Sequence, residues 1–315
     1  MTQYDLRTPA GNETRPLFSF GGDETRFQPV AAVNDRPRRI LMTCSGDRAS
    51  WGHTLELAAC LGRCGLDVAL ATVGEPPAQG QLEEALRLPN VQVFPGRFVN
   101  GWRDDGWDEV DRAGEWLLHL EEHLDPDVVH LHAYPYGALP FLAPKLLEGH
   151  QCPVCRSRAL SGETADDVAS LSWERYRQEV VRALREARMV VAPSAAALHE
   201  LAAAFGPLPE CRVVPPGRSP RRFLPGTKDD LILSAGCFGD EARALPALAE
   251  VAREVAWPVA VLVDGASDDE ARASRPVRLV QGTSHDRLAA WYGRASVFAL
   301  PCRYDPSGLT ALEAA

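Results

Sequence analysis

This 315-residue sequence predicts an α/β protein of two doubly wound, Rossmann-like halves. Three observations predict it. Strand-length apolar runs alternate with amphipathic helical stretches along most of the chain. The runs are nearly continuous in apolar residues, as in parallel strands covered on both faces. A proline-rich stretch, Pro215 to Gly226, then divides the series in two. Two such sheets joined by a hinge imply a cleft between their carboxyl ends, where ligands of such sheets sit.

The elements follow in order. Residues 1–37 mix Pro, Gly, Thr, Arg and acids without periodicity and read as a flexible tail. Residues 38–225 form the first domain with its linker, and 226–315 a second, incomplete one. Ile40–Thr43 is an apolar strand, and a polar turn from Cys44 to Ser50 opens a helix carrying Leu57, Cys60, Leu61 and Cys64, closed by Gly65. Asp67–Val73 and Val91–Phe94 are strands. Asp111–Leu124 is a helix with Ala113, Trp116, Leu117, Leu120 and Leu124 on one stripe. Asp127–His132 reads as a strand, Gly137–Leu147 as a mostly apolar helix and Trp173–Ala187 as an amphipathic helix. Met189–Ala192 is a strand, after which Pro193-Ser194 cap a helix to about Phe205, and Arg212–Val214 closes the half. The second series runs strand Leu231–Ala235, helix Glu241–Val255, strands Pro258–Val263 and Val277–Val280, helix Asp286–Arg294, strand Val297–Leu300 and a terminal helix from Gly308.

Composition narrows the function. Apolar content of 45% and charged content of 24% are those of a soluble globular protein. No apolar run is long enough to span a bilayer and no leader follows Met1, so the expected location is cytoplasmic. A net charge of −10 argues against a nucleic-acid partner and against membrane attachment by charge alone. A local basic patch, Arg218 with Arg221 and Arg222, leaves transient contact with a membrane surface open. The eight cysteines read as reduced thiols, including the Cys152 and Cys155 pair that follows His150.

The chemistry concentrates in the last residues. Pro301–Ser307 is a breaker-rich loop between a strand and a helix, and a helix start offers amides and a positive dipole end to an anion. Two acids bracket it in Asp305-Pro306-Ser307-Gly308-Leu309-Thr310-Ala311-Leu312-Glu313. This stretch resembles the Glu-Pro-Phe-Gly-Leu-Thr-x-x-Glu motif of glycosyltransferase family 4, retaining enzymes of the GT-B fold. Further similarity lies in Asp125–His132, in Val190–Ser194, and in Val213–Gly217 with Arg222-Phe223. Trp51–Ala58 is similar to the family's acceptor-side helix.

The resemblance implies transfer of a sugar from a nucleotide-diphosphate donor to an acceptor hydroxyl of a carbohydrate or lipid-linked molecule, with retained configuration. It implies no cofactor beyond the donor substrate and no essential metal. Asp305 would contact sugar hydroxyls and Glu313 the ribose, since a carboxylate accepts from both hydroxyls of a diol. The amides of Ser307, Gly308, Leu309 and Thr310, with Arg243, would hold the diphosphate. Gly236, Trp51 and Gly52 would lie against the donor, and His150 beside its sugar. The chain departs from the family at Cys237, where relatives carry Arg; losing one charge-assisted phosphate contact costs roughly 1.5–3 kcal/mol. It also stops at Ala315, inside the helix that carries Glu313. A descendant that binds sugar nucleotide or carbohydrate without turnover is the alternative. A nicotinamide enzyme would need Gly-x-Gly-x-x-Gly after the first strand, and Cys44–Ala49 has one of those glycines.

Four other features have plainer readings. His130 and His132 share one face of a strand and are expected as satisfied core histidines, the alternative being that one of them reaches the cleft. His119 and His123 lie off the apolar stripe among Glu121 and Glu122 and are expected on a solvated face. Asp125-Pro126-Asp127 mimics a metal-binding acid pair but sits at the turn into a strand, a structural position. A metal site at His150, Cys152 and Cys155 lacks the second ligand pair a zinc ribbon supplies.

Overall fold

Strands of the first half line up in a single parallel sheet. Their elements are β1 (Arg39–Cys44), α1 (Arg48–Arg63), β2 (Asp67–Thr72), α2 (Gln79–Ala85), β3 (Val91–Pro95), α3 (Trp107–Leu124), β4 (Val128–Leu131), β5 (Lys145–Glu148), α4 (Pro153–Ser161), α5 (Leu171–Glu186), β6 (Met189–Ala192), α6 (Ala195–Phe205) and β7 (Cys211–Val213). The sheet order is β3-β2-β1-β4-β5-β6-β7. A computed structural model describes residues 37–74, 76–98, 106–161, 171–235, 245–263, 276–281 and 285–315. The expected tail and the positions Gly236, Cys237 and Arg243 lie outside the described residues.

Alternation along these strands sends two sets of side chains to opposite faces. Ile40, Met42, Cys44, Val68 and Leu70 pack against Trp51, Leu55 and Ala58 of α1. Leu41, Ala69, Ala71, Val129, Leu131, Leu147 and Val190 pack on the other side against α3, α5 and α6. Winding reverses between β1 and β4, which pair directly with Met42 opposite His130. The connections leaving these two strands diverge and open a crevice at their carboxyl ends.

The second half holds β8 (Asp229–Ala235), α7 (Leu245–Val251), β9 (Val259–Val263), β10 (Arg278–Gln281), α8 (His285–Arg294), β11 (Ala295–Phe298) and α9 (Leu309–Ala314). Its parallel sheet has the order β10-β9-β8-β11, so winding reverses between β8 and β11. Leu231, Leu233 and Leu262 face Leu288 and Tyr292 of α8, while Val259, Val261 and Val263 face Leu248 of α7.

Most elements form where the pattern places them. Ser194 caps α6 as expected, accepting a hydrogen bond from the amide of Ala197 at 3.1 Å. Asp125 ends α3 in the left-handed region at φ 45°, and Asp127 accepts from the amides of Arg38 and Arg39, the structural role expected of that acid pair. The seven described cysteines are free.

One element differs. Gly137–Leu147, expected as a helix, follows a short 3₁₀ turn (Tyr134–Tyr136) and ends in β5. Pro140 and Pro144 block helical hydrogen bonding there. The irregular segment is held by Lys145, whose Nζ donates to the carbonyls of Gly137 (2.7 Å) and Leu139 (3.0 Å) and pairs with Glu186 at 3.1 Å. The short helices α2 and α4 have no counterpart in the sequence pattern, because neither carries a full apolar stripe. Among the described residues no helix is long and apolar enough to cross a membrane.

Candidate functional site

The carboxyl ends of β1, β4 and β5 gather a polar cluster in an otherwise apolar layer. Glu148 is the last residue of β5. His130 lies in β4, with His132 one residue beyond it, and His53 reaches over from α1. Nε2 of His132 sits 2.8 Å from Oε2 of Glu148, Nε2 of His130 sits 3.4 Å from the same oxygen, and Nε2 of His53 sits 3.3 Å from Oε1. The His130 and His132 rings stack with centroids 4.6 Å apart. These contacts are close without being aligned as hydrogen bonds: neither ring nitrogen of His132, nor Nε2 of His130, has a hydrogen-bond partner among the described residues. The backbone is firmly set, because the His132 amide donates to Oγ1 of Thr43 at 2.9 Å.

Electrostatics in this cluster follow from burial and charge. Burial alone would raise the pKa of Glu148, but the charge of His132 and the surrounding imidazoles outweigh it and hold the carboxyl well below its usual range. Burial also pulls His130 and His150 below the usual imidazole value, so both rings are neutral near pH 7. The expectation that His130 and His132 are satisfied core histidines is therefore corrected. Both are drawn toward a carboxylate that the sequence did not single out.

A cavity of about 870 Å³ opens beside the cluster on the α1 face of the sheet. Val128, His130, Leu146, Glu148 and Val191 form its floor, Leu57, Cys60 and Leu61 of α1 one wall, and Val214 to Arg218 another. Arg218 also anchors an ion-pair network. Its Nε lies 2.6 Å from Oε1 of Glu313 in α9, and its Nη1 lies 3.5 Å from Oε2 of Glu56 in α1. Glu56 Oε1 further accepts from the amide of Ser219. Arg222 pairs with Glu84 of α2. The linker is thus held to both halves by charge.

The residues expected to bind a donor fall into four groups. The loop Asp305–Gly308 comes to the first half: Tyr304 Oη accepts from the amide of Cys152 at 2.8 Å and donates to Oε2 of Glu200 at 2.9 Å. Tyr304, the residue before Asp305, thus ties this loop to the segment after His150, whose ring stacks on Tyr134 with centroids 6.5 Å apart. Asp305 Oδ1 accepts from Oγ of Ser307 and from the amide of Gly308, both at 3.0 Å, and Ser307 Oγ accepts from the amide of Leu309 at 3.3 Å. Two of the four amides expected to face a diphosphate are therefore occupied by the loop's own side chains. Gly308 adopts φ 61°, a left-handed conformation that suits glycine at the start of α9, with Thr310 in its first turn.

Glu313 is buried and engaged with Arg218, a contact the sequence did not reveal. Trp51 is 0% exposed in the core between α1 and the sheet, and Gly52 beside it is buried. That burial corrects the expectation that Trp51 touches a donor: its indole packs instead. Gly236 and Arg243 lie outside the described residues. His119 and His123 are exposed, as expected of a solvated face.

Comparison with known proteins fits this geometry. The model of the family described as Glycosyltransferase Family 4 matches residues 52–222. None of the curated proteins matches the chain significantly. Among solved structures, sucrose-phosphate synthase from Thermosynechococcus elongatus superposes with a TM-score of 0.67 at 16% identity, over 88% of this chain and 78% of that one. Anabaena HepE in complex with UDP-glucose gives 0.62 at 12%, over 89% and 78%. UDP-N-acetylglucosamine 2-epimerase from Rickettsia bellii gives 0.52 at 11%, over 84% and 74%. At such identities the likenesses establish the fold, GT-B, and the family model does the rest. The chain belongs to glycosyltransferase family 4.

Proposed function

We propose that this chain moves a sugar from a nucleotide-diphosphate donor to an acceptor hydroxyl with retention of configuration. Family membership makes it a glycosyltransferase; donor, stereochemistry and residue roles are the proposal. The observation that supports it best is the Tyr304–Cys152 hydrogen bond. It ties the acid-bearing loop of one half to the segment after His150 in the other, which supports a donor held between groups from two sheets.

The reaction needs a stabilised diphosphate leaving group, an acceptor proton carried away, and an oxocarbenium-like centre kept from water. Asp305, its Oδ1 committed to the loop, meets the sugar through the other oxygen. Glu313 takes the ribose hydroxyls, and Arg243 with Gly236 and the amides of Ser307 and Thr310 faces the diphosphate. Neutral His150 sits on the sugar side, where an uncharged imidazole can donate to or accept from a hydroxyl. No metal is given a part in the transfer. Donor and acceptor are a nucleotide sugar and a carbohydrate or lipid-linked hydroxyl.

A second reading, binding without turnover, is favoured by the Glu313–Arg218 pair, which must loosen before Glu313 can hold a ribose. Calorimetry with UDP-, GDP- and ADP-glucose, alongside product detection and NMR assignment of the new anomeric centre, decides between them. Retained products, lost in Asp305→Ala, support the proposal. Donor binding with no product from any acceptor supports the second reading, and absence of any nucleotide-sugar binding refutes both.

A further inference from the structure

We propose that His53, His132 and Glu148 form a zinc site with a fourth position open toward the cavity. One ring nitrogen of His53, one of His132 and a Glu148 oxygen all lie within 4.8 Å of one another. In a tetrahedral zinc site with bonds of about 2.0–2.1 Å, ligand atoms stand about 3.3 Å apart. Nε2 of His53 lies 3.3 Å from Oε1 of Glu148 and Nε2 of His132 lies 2.8 Å from Oε2, so the two imidazoles meet different oxygens, and a small movement of the carboxylate away from His132 brings one oxygen and both rings around an ion.

The decisive feature is proximity. A carboxylate ringed by three imidazoles could be a simple hydrogen-bond hub, each ring donating one N–H. Here Nε2 of both His130 and His132 lies close to Glu148 without meeting hydrogen-bond geometry. Buried imidazole nitrogens left unsatisfied this close to a carboxylate are satisfied by an ion placed between them. Two imidazoles and one carboxylate form a donor set that suits zinc, and three protein ligands leave a position for water or a ligand oxygen. His130, stacked on His132 and 3.4 Å from Glu148, is a positioning residue for the carboxylate. Thr43 fixes the backbone of His132 from the neighbouring strand.

Nothing in the transfer proposed above uses these ligands. The chain also carries its own control in the second His/Glu group, the exposed His119, Glu122 and His123 of α3.

The test uses the tag-free 315-residue chain, stripped with a chelator and titrated at constant pH with Zn²⁺ by calorimetry and with Co²⁺ by visible absorption. One equivalent of Zn²⁺ is expected, with the intense d–d bands of low-coordinate Co²⁺. Glu148→Gln and His132→Ala are each expected to weaken binding by more than about 100-fold, and His130→Asn by about 10–100-fold, the effect of an outer-shell partner. The His119→Ala/His123→Ala double variant should bind as the parent does. Absence of stoichiometric uptake by the parent protein overturns the proposal, whatever the variants do. So does uptake that survives Glu148→Gln, which preserves side-chain shape, or uptake that disappears with His119 and His123. Because the readout needs no sugar nucleotide, its outcome is independent of the transferase reading.

Discussion

Replacing Arg218 by Met tests how the linker is held. Its guanidinium is 7% exposed and sits between Glu313 and Glu56, whose side chains are 10% and 17% exposed. Met keeps much of the apolar stem and removes the charge, leaving two carboxylates facing each other across a water-poor gap. Removing one partner of a buried pair costs about 3–5 kcal/mol, far more than an exposed pair is worth. At an unfolding entropy of about 2 cal/mol/K per residue, a unit of this size loses roughly 5–9 °C in Tm. The assay is differential scanning calorimetry of Arg218→Met, Glu313→Gln and the double variant. Neutralising Glu313 removes much of the repulsion, so the double variant should lose less than the sum of the singles, with a coupling of about 1–3 kcal/mol. A single-variant change below about 1 °C, or strict additivity, refutes the argument that this pair is desolvated and coupled.

Three further expectations follow from the geometry. Tyr304→Phe removes the acceptor for the Cys152 amide and the donor to Glu200, and should cost about 1–3 kcal/mol by denaturant midpoint. Gly137→Ala would place a Cβ 2.5 Å from Cβ of Ala183, neither being the end of a flexible chain, so about 1–3 kcal/mol of overpacking is expected in the same assay. Asp127 has its pKa lowered by the amides of Arg38 and Arg39, so its contribution is present above the unfolded value near 3.8 and fades as pH falls through the folded one. An acid titration of stability should show Asp127→Ala and the parent converging below pH about 4, and a gap that persists at lower pH would contradict this.

Much of the fold was legible because its causes are local. Continuous apolar runs, the Ser194 cap and the breaker-rich loop before Gly308 depend on a few neighbouring residues. The same locality explains the misread stretch at Gly137–Leu147. A short apolar run is as compatible with a buried strand as with a helix. The contacts of Lys145 with Gly137, Leu139 and Glu186, which organise it, are tertiary.

By itself the sequence determined the alternation of strands and helices, the proline-rich stretch at Pro215–Gly226 and the acid-bracketed loop at Asp305–Glu313, since each is written in periodicity or short spacing. Only the tertiary structure decided which side chains meet. Parallel pairing of β4 with β1 and β5 stacks His130, His132 and Glu148 at one edge, and α1 adds His53 from another part of the chain. Glu148 carried no motif, and Arg218 looked like one member of a surface basic patch. Their roles come from register and from burial, which set distance and dielectric together and which no stretch of neighbouring residues encodes.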